Sequence, residues 1–257
     1  MPIVSGLDKF RDAMRGHEEK FVLIGGGACS LLFSELGADD FRSTKDLDLV
    51  ILVDGKDAGF MRSFWSFVEA GGYDCGSRSD TGARYYRFDI SEEESIRTGY
   101  PKQIELFARH PEFDLAPGAY RTPLPVKDDD IRSLSAIILD DGYYEFLKKG
   151  LTSIEGVLVP DVLHIIPLKM QAHIDNNDLY ARGVSIQEKD RTKHRGDVVR
   201  LSGLLPRNAR LPLEGQLLDD ARRFFNDLAA FAERPELDKK SKRRAVEALD
   251  FLKGVYI

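Results

Sequence analysis

Two acidic residues stand two positions apart at the start of an apolar segment. Asp46 and Asp48 begin the run DLDLVILV, and strand alternation would place both carboxylates on one face, about 7 Å apart along the chain. A third acid, Glu105, lies in another strand-like segment, QIELFA at residues 103–108. Three carboxylates on neighbouring strands can hold one or two Mg²⁺ ions, an arrangement that suits phosphoryl or nucleotidyl transfer.

Each of these acids also has a simpler structural interpretation. A pair of Asp residues at a strand end is often a turn or capping feature, and a Glu within a strand often pairs with a nearby arginine, here Arg84 or Arg87. For Glu105 taken alone, the structural interpretation is the better one. The combination of the three acids favours a functional site over the structural interpretation, because Arg42, Thr44 and a glycine turn precede the Asp pair in one compact stretch.

The glycine turn belongs to FVLIGGGACS, residues 21 to 30, where an apolar run ends in three glycines and continues as a helix-like pattern. Backbone N–H groups at such a helix start can bind phosphate. One alternative is a Rossmann dinucleotide-binding domain, whose GxGxxG fingerprint the turn matches except that Ser30 replaces the last glycine. It requires an acid after the second strand, for which Asp54 is the candidate, and it gives the earlier Asp pair no role.

The composition is that of a globular protein with one or two cores. Of the 257 residues, 42% are hydrophobic and 31% are charged, which is ordinary for this class. No apolar run reaches the roughly 18 residues that cross a bilayer, and the charged N-terminal segment is unlike a signal peptide. We therefore expect a cytoplasmic protein with no membrane partner. Cys29 and Cys75 suggest neither a disulfide framework nor zinc, and no histidines stand at HxxxH spacing.

The net charge of −6 argues against broad coating of a nucleic acid. Basic residues nevertheless gather in two C-terminal segments, KDRTKHRGDVVR at 189–200 and KKSKRR at 239–244. The simplest interpretation is that both are solvated helix faces. They would bear on an RNA acceptor only if they faced an active-site cleft.

The elements that must position these residues follow from hydrophobic periodicity. An amphipathic helix is predicted at 6–19, with Leu7, Phe10 and Met14 on one stripe, and a helix that Gly37 ends follows the glycine turn. Residues 46–53 are too apolar for an edge strand and predict a central one. The other predicted strands are at 21–24, 84–90, 103–108, 134–139 and 154–159. The polar connection SEEESIRTGYPK joins the strands at 84–90 and 103–108. Two further helices are predicted at 60–70 and 143–148.

From residue 160 the pattern is helical, with segments at 160–175, 193–205, 215–231 and 237–253, whereas 113–130 looks irregular. The predicted fold class is α/β (α+β). A mixed sheet with flanking helices is expected in domain 1–159, followed by a helical domain at 160–257.

The stretch IGGGACSLLFSELGADDFRSTKDLDLVIL resembles the opening of nucleotidyltransferases of the DNA polymerase β-like superfamily. Their pattern is a glycine turn opening a helix, then hDhDh, then a third acid on a later strand. More narrowly, the chain is similar to the AbiEii-type abortive-infection toxin branch, which reads roughly GGTAL and then RxTxDLDh. The residues that match are Gly25, Gly26 and Ala28, then Arg42, Thr44, Asp46, Leu47 and Asp48, with weaker matches at Lys169 in PLKMQA and at Lys193 and Asp197 in KHRGDVVRL.

The resemblance implies a nucleotidyltransferase fold that transfers a nucleoside monophosphate from a nucleoside triphosphate. It implies that Asp46, Asp48 and Glu105 hold Mg²⁺ or Mn²⁺, with Glu105 as general base. The nucleotide-binding residues that it implies are Gly25, Gly26, Gly27, Arg42, Thr44 and Lys169, with Lys193 and Asp197 as further candidates. For these last two, the structural alternative is an i,i+4 ion pair on an exposed helix.

One position departs from the family pattern. The family usually has Ser or Thr after the glycine pair, where the hydroxyl helps to hold the phosphates, and this chain has Gly27. The departure supports a second alternative, a nucleotidyltransferase fold that no longer catalyses and serves as a binding module. The resemblance leaves the acceptor open among RNA, protein and small molecule, and it implies a cognate antitoxin if the chain is the toxin of a toxin–antitoxin pair.

Overall fold

The computed structural model describes residues 4–38, 41–42, 44–52, 58–73, 87–108 and 140–257, which form two compact units. The sheet unit contains the described residues up to 108 together with Leu151–Pro160, and the helical unit contains 140–150 and Asp161–Ile257. The chain is therefore mixed α/β. The sequence placed a single boundary between residues 159 and 160. In the structure, Leu151–Pro160 belongs to the sheet unit, whereas the segment before it belongs to the helical unit.

A four-stranded mixed sheet forms the centre of the sheet unit. Its strands are β1 (Phe21–Ile24), β2 (Asp46–Ile51), β3 (Arg87–Asp89) and β4 (Gln103–Ala108), in the spatial order β1-β2-β4-β3. The β1–β2 and β4–β3 pairs are antiparallel, and the β2–β4 pair is parallel. The predicted central strand is confirmed, because β2 has a partner on each side.

Aromatic side chains cover one face of this sheet. Phe10 and Phe21 lie with their ring centroids 5.2 Å apart, and Phe64 and Phe88 lie 5.4 Å apart. Edge-to-face contacts of this kind add to the burial of apolar area. The described helices of this unit are α1 (Leu7–Ala13), α2 (Gly25–Glu35), α3 (Ala58–Gly71) and α4 (Glu92–Thr98). Helices α1 and α3 supply Phe10 and Phe64, while α2 packs on β1 and β2.

The N-terminal helix is shorter than predicted. It ends at Ala13, and a 3₁₀ turn follows at Glu18–Lys20. Gly16 adopts φ +83°, a conformation that favours glycine and does not continue a helix. The predicted stripe of Leu7, Phe10 and Met14 is buried, as expected.

The polar connection predicted before β4 does join β3 to β4, and it contains a helix that was not predicted, α4. Ser91 caps the helix, because its Oγ accepts a hydrogen bond of 3.1 Å from the Glu94 N–H. Gly99, at φ +73°, ends it. The sequence signal was the spacing S-x-x-E, which is that of a capping box.

The strand predicted at 154–159 is confirmed at 157–159, where it is the second strand of a hairpin that begins at Leu151. Strands β5 (Leu151–Ile154) and β6 (Val157–Pro160) pair antiparallel, and β6 packs near β1. Glu155 and Gly156 both have positive φ, at 51° and 79°, as in a two-residue turn that reverses the chain. Apolar residues, Ile154 and Val157, stand directly on either side of this two-residue turn, and the predicted strand was extended across it.

Helices make up the described part of the second unit. Asp140, Asp161 and Asp238 cap the first, second and last of them through backbone N–H groups. The second helix continues past the predicted end at 175. The five helices are α5 (Asp141–Lys149), α6 (Val162–Ala181), α7 (Glu188–Ser202), α8 (Gly215–Ala232) and α9 (Lys239–Tyr256).

Some predictions lie outside the described residues: the strand at 134–139, the irregular segment 113–130, and the positions of Asp54, Cys75 and Arg84. Within the described part of the chain, no helix is both long and apolar enough to cross a membrane.

Candidate functional site

The predicted acids lie on one face of the four-stranded sheet. Asp48 on β2 is the register partner of Glu105 on β4, which in turn pairs with Arg87 on β3. Asp46 stands opposite Gln103. Because paired residues on neighbouring strands project to the same side, these side chains share a face opposite the aromatic one. We call it the acidic face, and its members are Asp46, Asp48, Arg87, Asp89, Gln103 and Glu105.

Negative charge is concentrated on the acidic face. Asp46 and Asp48 are half-buried, and the Glu105 side chain is only 16% exposed. Burial, followed by the neighbouring Asp48 carboxylate, raises the pKa of Glu105 to about 7, and the Arg87 guanidinium opposes this shift. Carboxylates that raise the pKa of a neighbour in this way would be stabilised by a bound cation.

Arg87 is held among acceptors of the acidic face. Its Nη1 lies 3.4 Å from Oε1 of Glu105, its Nε lies 3.2 Å from Oδ2 of Asp89, and its Nη2 donates to Oε1 of Gln103. The structural interpretation of Glu105 as an arginine partner therefore describes part of what this residue does. Its partner is Arg87.

Sequence reasoning did not single out Gln103 or Asp89. The signal was present, because Gln103 stands two residues before Glu105 and Asp89 stands two residues after Arg87. Strand alternation places each of them on the same face as its neighbour.

Gly25 allows the start of α2 to lie against Asp48. A Cβ at Gly25 would lie 1.7 Å from Oδ2 of Asp48, and Gly25 itself adopts φ +66°. Both the space and the backbone conformation therefore require glycine. Ile24, which precedes the helix, has no side-chain oxygen that could cap it. The first turn of α2 thus begins beside the acidic face.

Gly26 points toward Arg42 and Thr44. A Cβ there would lie 3.4 Å from Oγ1 of Thr44 and 3.8 Å from Nη1 of Arg42. Thr44 is buried, and its hydroxyl accepts a 3.3 Å hydrogen bond from the Asp46 N–H. Ser30 Oγ lies 3.1 Å from the Gly26 carbonyl and 3.2 Å from the Arg42 carbonyl, within donating distance of both. These contacts tie the segment before β2 to the first turn of α2 and position Asp46.

Gly27 points the other way. A Cβ at this position would lie 3.2 Å from the Leu23 side chain, which is fully buried. A hydroxyl introduced at Gly27 would therefore face the core rather than the acidic face. Packing explains this glycine.

Lys169, Lys193 and Asp197 lie in the helical unit. Lys169 on α6 and Asp197 on α7 form an ion pair of 3.2 Å, and each residue is only 4% exposed. Lys193 is exposed and pairs with Asp190 at 3.0 Å. The structure therefore brings Lys169 and Asp197 together and gives Lys193 a partner on its own helix.

A second group of acids lies in the helical unit, and we call it the helical cluster. Asp220, only 1% exposed, accepts hydrogen bonds from the Tyr143 hydroxyl at 3.0 Å and from the Gln216 amide at 2.9 Å. Asp175 accepts from the Gln171 amide at 2.9 Å. Burial, followed by Asp220, raises the pKa of Asp175 to about 7. The members are Tyr143, Gln171, Asp175, Gln216 and Asp220.

The donor set of the acidic face suits a hard divalent ion. Among the described residues, no three His, Cys, Asp or Glu side chains form a ready-made metal cage. Mg²⁺ does not require one, because it usually binds one or two carboxylates and completes its shell with water and substrate phosphates. Asp46 and Asp48 lie on one face of β2, with Asp48 against the start of α2 at Gly25, and this pair of carboxylates fits that requirement.

The chain matches no family model, no curated protein and no solved structure. The strand directions bear on the dinucleotide alternative directly. In a Rossmann unit the strands before and after the glycine-initiated helix are parallel, whereas β1 and β2 are antiparallel. The described sheet therefore lacks the parallel pair of strands that a Rossmann domain requires.

Proposed function

We propose that the chain is a metal-dependent nucleotidyltransferase of the DNA polymerase β-like type, with its active site on the acidic face. The observation that carries the proposal is the register of Asp48 against Glu105, with Gly25 of α2 directly beside Asp48. That arrangement combines carboxylates for a divalent ion with a helix start for phosphates.

Asp46 and Asp48 would hold Mg²⁺ or Mn²⁺, with Glu105 completing the site. The ion would neutralise phosphate charge and lower the pKa of the attacking hydroxyl. The backbone of Gly25 to Gly27, together with Arg42, would bind the triphosphate, while Thr44 positions Asp46 through its hydroxyl.

In the proposed reaction, the acceptor oxygen forms a bond to the α-phosphorus of a nucleoside triphosphate, and the bond to pyrophosphate breaks. Glu105 accepts the proton of the attacking hydroxyl. The acceptor is RNA, a protein or a small molecule, and a cognate antitoxin is a partner of the proposed toxin. For Lys169 and Asp197 the buried ion pair supports a structural role, so the proposal rests on the sheet unit.

The non-catalytic alternative loses its main support. That support was the missing hydroxyl at Gly27, and position 27 points at Leu23 rather than at the acidic face. A binding module would still bind nucleotide without transferring it.

The test is transfer of label from each α-labelled nucleoside triphosphate, with Mg²⁺ or Mn²⁺, to RNA and protein acceptors. We expect transfer by the unmodified chain and its loss in Asp46→Asn and Asp48→Asn. Glu93→Gln, which removes an exposed acid on α4, is the matched control and keeps activity. Nucleotide binding without transfer to any acceptor would favour the binding module, and transfer that survives both Asp substitutions would refute the site.

A further inference from the structure

Ser30 lies on α2 shortly after the glycine turn, and its hydroxyl contacts two parts of the chain. The residue is only 1% exposed. Its Oγ lies 3.1 Å from the carbonyl oxygen of Gly26, four residues earlier in the same helix, and 3.2 Å from that of Arg42, twelve residues later. A hydroxyl group carries one proton and donates to one acceptor at a time. Helix geometry already pairs the Gly26 carbonyl with the Ser30 N–H, so what the hydroxyl adds is the link to Arg42.

The segment before β2 is anchored on α2 by two neighbouring contacts. The Arg42 carbonyl faces the Ser30 hydroxyl. The adjacent Phe41 ring packs against Phe33 of α2, with the ring centroids 5.0 Å apart and both residues buried. A hydrogen bond and an aromatic contact therefore hold the backbone of Arg42 against the helix.

The Arg42 side chain extends back to the first turn of the same helix. A Cβ at Gly26 would lie 3.8 Å from Nη1 of Arg42, whereas the Arg42 carbonyl lies at Ser30, about one helical turn further along α2. The residue thus runs along the helix from position 30 toward position 26. Its guanidinium group lies at the end of the helix that favours a bound anion.

We propose that Ser30 is a positioning residue for the triphosphate: its hydroxyl fixes the Arg42 backbone and so directs the guanidinium group to the start of α2. The inference rests on the proposed function, and it separates the contacts that serve nucleotide binding from those that serve metal binding. Asp46 and Asp48 belong to the paired part of β2, and the Asp46 N–H is bonded to Thr44. Loss of the Ser30 hydroxyl should therefore leave both carboxylates in place.

The test measures two affinities of the full chain by calorimetry, one for Mn²⁺ alone and one for each of the four ribonucleoside triphosphates with Mn²⁺. We expect Ser30→Ala to weaken nucleotide binding about fivefold, as the loss of one hydrogen bond predicts, and to leave Mn²⁺ binding unchanged. Ser95→Ala is the matched control, because Ser95 on α4 is also buried and its Oγ donates to the Tyr100 carbonyl at 2.7 Å. It should change neither affinity.

A second comparison determines whether Ser30 acts through Arg42. In a chain that already carries Arg42→Gln, Ser30→Ala should weaken nucleotide binding no further, whereas independent contributions would add. In the transfer assay, Ser30→Ala alone should raise KM for the nucleotide and change kcat less, because the lost contact serves binding.

The outcomes separate this inference from the proposed function. Three results would overturn the role of Ser30 and leave the metal site standing: unchanged nucleotide affinity in folded Ser30→Ala, an equal loss of Mn²⁺ affinity in that variant, or a full further loss beside Arg42→Gln. Absence of both Mn²⁺ and nucleotide binding in the unmodified chain would overturn both proposals. If Ser30→Ala does not fold, Ser30→Cys replaces the hydroxyl by a weak donor, and its affinities decide in the same way.

Discussion

The acidic face and the helical cluster both contain a carboxyl group whose pKa is raised to about 7, yet their surroundings differ. In the helical cluster, Gln216 donates to Asp220 and Gln171 donates to Asp175 within one helix each, and Tyr143 donates to Asp220 from a neighbouring helix. On the acidic face, Glu105 has Arg87 on one side and a second carboxylate on the other.

The groups around a buried carboxyl distinguish a structural acid from a candidate metal-binding acid better than its raised pKa does. A raised pKa reports burial and like charge in both places. The acidic face differs in lying beside the start of α2. There, the absence of a side chain at Gly25 lets the Asp48 carboxylate pack against the helix. We therefore expect substitutions on the acidic face to affect metal binding, and substitutions in the helical cluster to affect stability.

Gly25→Ala should give the largest effect on stability. The new Cβ would collide with Asp48, and the residue would keep a positive φ, so we expect a loss of about 2–4 kcal/mol in the free energy of unfolding. Gly37→Ala is the matched control, because Gly37 has φ +61° but open space around its Cβ position. It should cost only about 1 kcal/mol. Equal losses in denaturant titrations of the two variants would refute the close approach to Asp48.

Asp220→Asn should destabilise the helical unit by about 1–3 kcal/mol, because a buried acceptor of several hydrogen bonds is replaced by a group that also donates. Thermal unfolding measures the loss. Asp219→Asn, at an exposed neighbour, is the control and should be close to neutral. A neutral Asp220→Asn would mean that the cluster does not hold α5 against α8.

Asp175 predicts a pH dependence of stability. Its pKa is raised from 3.8 to about 7 in the folded protein, so the folded state binds more protons between these values, and stability falls as pH rises through this window. Asp175→Asn should remove that contribution and raise stability at pH 8 by on the order of 1 kcal/mol, less than full linkage because the carboxyl group is partly exposed. The charged groups that face Asp175 are Asp178, Arg182, Asp220 and Arg223.

Unfolding curves at pH 5 and pH 8 measure this contribution as the difference between Asp175→Asn and the unmodified chain. A difference that is the same at both pH values would contradict the raised pKa.

A paired substitution in the glycine turn should give the smallest effect. Gly26→Ser would place a hydroxyl near Thr44 and Arg42, and Gly27→Ser would place one against Leu23. We expect the first to change nucleotide affinity, and the second to leave it unchanged while costing about 1 kcal/mol through overpacking. Nucleotide titration followed by fluorescence measures both. A stronger response to Gly27→Ser would place the phosphate-facing position at residue 27.

Local patterns predicted the elements that carry the acidic face, but not the pairing between them. Asp46 and Asp48 were placed on one face because alternation along a strand is a local property. The register of Asp48 and of Arg87 against Glu105 depends on pairing between distant segments, which periodicity does not encode. The hairpin turn at Glu155 and Gly156 was missed for a related reason, since apolar residues flank it on both sides.

The buried Lys169–Asp197 pair shows the same limit in the helical unit. Sequence spacing suggested that Lys193 and Asp197 pair along one helix, but Asp197 pairs with a residue on α6 and Lys193 pairs with Asp190. Which ion pair a residue on α7 forms depends on which face of that helix packs against its neighbour, and spacing along the sequence does not show this.

The most direct test of the central claim compares Mn²⁺ binding in Asp48→Asn and in Asp220→Asn by electron paramagnetic resonance, with circular dichroism to show that both variants are folded. We expect Asp48→Asn to lose the bound ion while keeping its stability, and Asp220→Asn to keep the ion while losing stability. Retention of the ion in Asp48→Asn, or its loss in a folded Asp220→Asn, would contradict the assignment of the acidic face as the metal site.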